Sequence, residues 1–286
     1  MRNLELEEMK NPTAFRKIAY GTWDKVKDPS VYGMILIDMS KANAYMAEYQ
    51  KRTGNRITPS HLVGRAAALC LKKRPEINSI IRCNKIYLRK KISLFFQVNV
   101  PGRKSLKNTG DEEVSLANVS GCVLHDAGEL SVGQLQKAMS AKIDKIREGT
   151  DKEFAKNMNV FKFLPWWASS YYLDFASWLI YGLNLDLSFL GIPKDPFGSI
   201  MITNVGSLGI EYAWAPLCPY TRVPLLLSVG AIHDQALVVD GQVVARPVMP
   251  VCITFDHRLM DGIHASQLSK EFKTCFNDPE KYFGFE

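Results

Sequence analysis

Short apolar runs and stretches of three-and-four spacing alternate along this chain, and together they predict its elements. YGMILIDMS (32–40) reads as a strand, with Ser40 as the N-cap of a helix through KANAYMAEYQKR. In TPSHLVGRAAALCLKKRPEI, Pro59 falls near a helix start and Pro75 beyond its end. NKIYLR and ISLFFQVNV read as strands, the second stopped by Pro101-Gly102. ELSVGQLQKAMSAKIDKIREG (129–149) has a helical period closed by Gly149. Strand patterns then crowd together: GSIMITNVGSLG (198–209), VPLLLSVGAI (223–232), ALVVDGQVVA (236–245, turning at Asp240-Gly241) and PVMPVCITFDH (247–257). GIHASQLSKEFKTCF is a final amphipathic helix. Early helices, late strands and one mixed sheet imply a single α/β or α+β domain over residues 1–286.

One segment departs from this pattern. VFKFLPWWASSYYLDFASWLIYGLNLDLSFLGIP (160–193) holds three of the five tryptophans, inside an insertion at about 150–197. Lys162, Pro165, Asp174 and Asp186 keep every uncharged piece below the ~20 residues of a membrane span. Phe163, Trp167, Tyr171, Phe175, Trp178 and Leu179 fall at helical spacing. Such a stripe packs on the domain or on a partner subunit; alternatively it lines an acyl pocket or makes a peripheral membrane contact through 160–190.

Composition narrows the classes. With 47% hydrophobic and 23% charged residues, the chain is of ordinary globular type. The net charge of +7 is spread out, and neither LKKRPE nor LRKK is interleaved with aromatics, so nothing points to nucleic acid. The six cysteines form no CxxC pair, which argues for reduced, mostly buried thiols rather than disulfides or a metal site. The charged start MRNLELEEMKNPTAF carries no apolar signal region, so a cytoplasmic location is expected.

Candidate chemistry concentrates in VCITFDHRLMDG (251–262). An apolar strand there delivers His257 to a sheet edge, where a neutral imidazole could act as general base beside a cleft. Asp261 is expected to anchor the turn by pairing with an arginine, and Gly262 to let the backbone bend. Asp256 and Arg258 read as a local ion pair. In MITNVGSLG, Thr203 ends a buried strand before a glycine turn and offers a hydroxyl to an oxyanion.

PVCITFDHRLMDGIHASQLSKEFKTCFNDPEKYF resembles the C-terminal end of the catalytic domain of 2-oxo acid dehydrogenase acyltransferases (E2 components), a family similar to chloramphenicol acetyltransferase. SIMITNVGSLGIEYAWAPLCPYTRVPLLLSVGAI resembles its preceding block, and residues before 83 fit its first strand and two helices more loosely. The resemblance implies a two-layer α/β sandwich with a mixed sheet, assembled as a homotrimer with interfacial active sites. It implies acyl transfer between coenzyme A, a substrate, and a thiol or hydroxyl acceptor, with His257 as base and Thr203 as oxyanion donor. Asp261 matches the structural aspartate of the family's motif, with Arg16 in FRKIAY as its candidate partner; Asn204, Gly206 and Gly262 are candidate substrate- or coenzyme-binding positions. No metal is implied.

The departures are the 150–197 insertion and the lack of lipoyl-type sequence with its D-K-A lysine, so no covalently attached lipoyl group is expected. The family's V-V-P-V strand finds no clear counterpart near NVSGCVLHDAGELS. The expectation is a stand-alone acyltransferase whose acceptor is a small molecule, carrier protein or lipid. A non-catalytic trimeric scaffold and an antibiotic-type O-acetyltransferase are the alternatives.

Overall fold

The computed structural model describes residues 2–8, 28–100, 105–106, 114–115, 118–147, 165 and 168–285. The N-terminal β1 (Leu6–Glu8) is followed by β2 (Ser30–Asp38), helices α1 (Ser40–Thr53) and α2 (Pro59–Lys73), and strands β3 (Ser79–Arg82), β4 (Lys85–Arg89) and β5 (Leu94–Val100). A short ribbon, β6 (Ser105–Leu106) and β7 (Val114–Ser115), precedes β8 (Asn118–Leu124) and α3 (Val132–Arg147). The aromatic segment forms α4 (Ser169–Ser177) and a π-turn (Trp178–Gly182). Then come β9 (Ile200–Asn204), β10 (Leu225–Val229), β11 (His233–Val239), β12 (Gln242–Asp256), α5 (Gly262–Asn277) and α6 (Pro279–Phe283).

Among the described residues, seven strands make the main sheet, in the order β11-β12-β10-β9-β5-β8 with β2 also on β12. The pairs β9–β10 and β5–β9 are parallel and the others antiparallel, so the sheet is mixed as expected. β11 and β12 turn on Asp240 and Gly241, both at positive φ (51° and 77°), the conformation an Asp-Gly hairpin supplies. The second hairpin arm and the following strand pattern are one 15-residue strand running through Pro247 and Pro250. Met39 N–H and Gly230 N–H donate to those two proline carbonyls, at the place where β12 changes partner from β11 to β10. β8 fills the strand position for which the sequence offered no clear pattern, held by β5 from Leu94↔Leu124 to Val100↔Asn118.

Helices α1, α2, α3 and α5 lie against one face. Ile35, Ile37, Leu94, Phe96, Ile200, Ile202, Leu225, Leu227, Val251 and Ile253 from that face share one core with Leu62, Ala66, Leu135, Leu268 and Phe272 of the helices. Each such Leu or Ile contributes roughly 1.5–3 kcal/mol by leaving water. Helix starts follow their chemistry. Pro59 is the first residue of α2, while α3 starts at Val132 because Ser131 and Gln134 exchange capping bonds (2.9 and 3.2 Å). Ser40 is not an N-cap: it lies inside α1, and Asp38 Oδ1 accepts its N–H (2.8 Å) and hydroxyl (2.6 Å). The stops expected at Pro101-Gly102 and Gly149 lie outside the described residues.

A second cluster of Leu4, Ile80, Ile180, Tyr181 and Leu187 joins the small β1-β4-β3 sheet to the π-turn. Asn184 clamps Leu4 from both sides (2.6 and 2.9 Å), and Arg89 pairs with Asp195 at 2.9 Å with both side chains buried. The aromatic segment is thereby tied to the N-terminal strand. The six cysteines form no disulfide with one another, and four of them are buried. Among the described residues, no helix is long and apolar enough to cross a membrane.

Candidate active site

β12 ends on Asp256, whose N–H donates to Pro224 O (2.9 Å) while the next N–H, of His257, donates to Pro29 O (3.0 Å). The turn is then closed from both directions. Leu259 and Met260 N–H donate to Asp256 O (3.0 and 2.9 Å), and their side chains are buried in the core. Asp256 also accepts the Arg258 N–H (2.9 Å) and its guanidinium through Nε and Nη2 (3.0 and 2.7 Å), as the ion-pair reading expected. His257 stands half-buried between two residues locked to each other, so its backbone has little freedom to stray.

Asp261 is the N-cap of α5, accepting from Ile263 N–H (3.0 Å) and His264 N–H (3.2 Å), with His264 Nδ1 at 2.6 Å. It therefore anchors the turn, as expected, by capping the helix. The pairing expected with Arg16 lies outside the described residues. Gly262 is a correction. Its φ is not left-handed and, among the described residues, a Cβ there would meet nothing within 4 Å, so the bend belongs to the extended Asp261 (φ −131°, ψ −175°).

Thr203 sits near the end of β9. Ile200 and Ile202 enter the core, so alternation turns Thr203 to the face away from the helices, where it is half-buried. Asn204, a candidate substrate- or coenzyme-binding position, makes two internal hydrogen bonds: Nδ2 donates to Ser60 Oγ (2.9 Å) and Oδ1 accepts Ser207 N–H (3.0 Å). It fastens the end of β9 to the start of α2. Gly206, another candidate binding position, packs tightly on the neighbouring backbone. A Cβ there would lie 2.5 Å from the Gly230 backbone, and one at Gly230 would lie 1.9 Å from Glu211 O. These contacts hold the 209–217 segment across the outer face, where Trp214 Nε1 donates to Gly33 O (2.8 Å) and Thr254 Oγ1 to Ala215 O (2.7 Å).

The register separates the two chemical groups. Thr203 lies beside Ser228, and Ser228 beside Cys252. His257 is five residues further along β12, toward the opposite end of the sheet, so about 16 Å along and two strand spacings (about 10 Å) across separate it from Thr203, or ~19 Å in all. One chain does not bring them together.

The aromatic segment neighbours the His257 end. α4 packs on the turn at Pro219–Thr221. Arg222, at φ 53°, then ties the segment to β3: Nε donates to Ser177 Oγ (3.1 Å) and Nη1 to Ile81 O (3.2 Å). Two residues later Pro224 O holds Asp256. Of the expected stripe, Phe163 and Trp167 lie outside the described residues, and Leu179 packs on the second cluster. Tyr171, Phe175 and Trp178 are exposed (73, 57 and 48%), so these three are not buried in the core. Arg222 and Ser60 carried no signal in the sequence, because each matters only through a residue far away in the chain.

Residues 197–284 match the family model of the 2-oxoacid dehydrogenases acyltransferase (catalytic domain). The chain is 38% identical over 82 residues to the dihydrolipoyllysine-residue acetyltransferase component of the pyruvate dehydrogenase complex of Bacillus subtilis (strain 168), covering 29% of this chain and 18% of that protein. Over 232 residues it is 25% identical to the corresponding component of the acetoin cleaving system of that organism, covering 80% of this chain and 44% of the relative. It thus spans less than half the length of these curated relatives. In structure it is similar to the cubic core of the pyruvate dehydrogenase multienzyme complex (TM-score 0.63, 18% identity, 97% of this chain and 94% of that one). It is also similar to chloramphenicol acetyltransferase (TM-score 0.50, 15% identity, 94% and 99%). The two-layer, mixed-sheet fold is the one these proteins share.

Proposed function

We propose that this chain, which resembles the 2-oxoacid dehydrogenase acyltransferase catalytic domain in its last third and shares its fold throughout, moves an acyl group between coenzyme A and a thiol or hydroxyl acceptor. The observation that carries the reading is the placement of a rigidly seated histidine and a half-buried strand-end threonine inside the matched segment. His257 takes the proton from the acceptor S–H or O–H, and the resulting anion attacks the thioester carbonyl carbon. Thr203 donates its hydroxyl proton to the oxyanion of the tetrahedral intermediate. Collapse breaks the carbon–sulfur bond, and the departing coenzyme A thiolate recovers the proton from His257. Because the two residues stand at opposite ends of one sheet, the working site joins His257 of one copy to Thr203 of a second, as a homotrimer with interfacial sites would do.

The acceptor reaches His257 past the aromatic segment. Exposed Tyr171, Phe175 and Trp178, one turn removed from Asp256, suit an acceptor with a large apolar group or one carried in a lipid surface. The test incubates purified protein with acetyl- to palmitoyl-coenzyme A and dihydrolipoamide, and separates free coenzyme A from its thioester by chromatography. We expect turnover, and a loss of roughly a hundredfold or more in His257→Ala. Turnover unaffected by that variant would remove His257 from the chemistry; no turnover with any donor would sink the assignment for this acceptor class.

A further inference from the structure

We propose that Ser228 is a positioning residue for the Thr203 hydroxyl, acting as the second member of a two-hydroxyl relay to the oxyanion. Ser228 and Thr203 are direct partners on the parallel strands β10 and β9. Partners in a sheet point to the same face, about 4.8 Å apart. That face is the outer one. Leu225, Leu227 and Val229 enter the helix-side core, whereas Leu226, Ser228 and Cys252 are buried but stand outside it. Ser228 is 1% exposed, in the middle of an otherwise wholly apolar strand, LLLSV. Among the described residues its hydroxyl has no hydrogen-bond partner.

A buried hydroxyl without a partner lowers stability, so its presence in an apolar strand calls for a use elsewhere. Thr203 supplies one. A threonine hydroxyl has one proton and two lone pairs, and its rotor is free until something fixes it. Once Thr203 donates to the oxyanion, rotation about the Ser228 Cα–Cβ bond lets the serine proton enter a Thr203 lone pair. The serine then fixes the rotor and polarises the threonine O–H, since hydrogen bonds in series strengthen one another. Ser228 is closed off from solvent and therefore acts through Thr203 without touching substrate. The role rests on the acyltransferase reading.

The experiment compares Ser228→Ala, Thr203→Ala and the double variant in the coenzyme A transfer assay, alongside thermal unfolding. In Ser228→Ala we expect kcat to fall about tenfold, less than the hundredfold or more that loss of a direct oxyanion donor costs. KM for the acyl donor stays unchanged, and Tm stays level or rises because an unbonded hydroxyl has gone. Ser228→Ala adds nothing in the Thr203→Ala background. Ser228→Thr restores the rate, and Ser228→Cys, of similar volume with a weak donor, falls between. A kcat for Ser228→Ala within twofold of wild type overturns the relay, as does an equal loss on top of Thr203→Ala. A loss that merely follows a lowered Tm overturns it too, by assigning Ser228 to packing. An inactive wild type overturns the acyltransferase reading and the relay with it, whereas an active wild type beside an unaffected Ser228→Ala overturns the relay alone.

Discussion

His61 shows how one buried side chain makes the site's scaffold sensitive to pH. It occupies the third position of α2, the helix whose Ser60 holds Asn204, and its Nδ1 accepts the Thr58 N–H at 3.0 Å. Accepting requires an unprotonated Nδ1, and burial pushes the imidazole down to about 4. In the unfolded chain the same ring protonates near its ordinary 6.5. The unfolded state therefore binds the proton first, and stability from the neutral ring is fully present above pH 6.5. It declines as the pH falls below that value and is gone below about 4, a loss on the order of 3 kcal/mol across the window. Glutamine at this position keeps the reciprocal cap without titrating. Urea unfolding at pH 7 and pH 5 should give His61→Gln a smaller drop in stability than wild type; equal drops would mean that the burial of His61 does not control this window.

Among the elements, two glycines with the same look in sequence have opposite requirements. A Cβ on Gly230 would stand 1.9 Å from Glu211 O, while one on Gly262 meets nothing within 4 Å among the described residues. Gly230→Ala should cost about 3 kcal/mol or more and lower Tm by on the order of 10 °C. Gly262→Ala, at the start of α5, should be neutral or slightly stabilising. Calorimetry on both variants separates the cases, and an unshifted Tm in Gly230→Ala would mean the 209–217 segment yields easily. That difference was invisible beforehand, as was β8, because each depends on chain that arrives from elsewhere. The Asp240-Gly241 turn, Pro59 at the start of α2, and the apolar strand running into His257 were legible, since their causes lie within a few residues of one another. Strand ends and turn residues marked His257 and Thr203 as candidates, and resemblance added their roles in acyl transfer and the sandwich that carries them. It could not reveal that Asn204 bonds to Ser60 and Ser207, nor that β12 runs unbroken through Pro247 and Pro250.

At the scale of the whole molecule, the register of β9, β10 and β12 has the largest consequence. Thr203 aligns with Cys252 through Ser228, and the strand must run on to His257 at the other end of the sheet. On the proposed mechanism, a base and an oxyanion donor ~19 Å apart cannot serve one thioester, which spans only a few ångströms at its reacting atoms. The outer face on which Thr203 stands also carries exposed Tyr32 and Met34, and the segment crossing it exposes Ile210, Tyr212 and Trp214. Apolar side chains gathered in this way favour cover by a second copy. If each site takes its histidine from one subunit and its threonine from the next, two strongly impaired variants should repair one another. His257→Ala and Thr203→Ala, unfolded together and refolded as an equal mixture, would assemble at random. A site works only where a Thr203→Ala subunit supplies the histidine and a His257→Ala neighbour supplies the threonine, so about a quarter of the sites in cyclic trimers recover. Coenzyme A transfer by the mixture should accordingly reach about a quarter of the wild-type rate, while each variant refolded alone stays at about a hundredth of it or less. A mixture no more active than its parents, although mass spectrometry finds mixed oligomers, would place both groups in one chain and require a rearrangement that this sheet register does not permit.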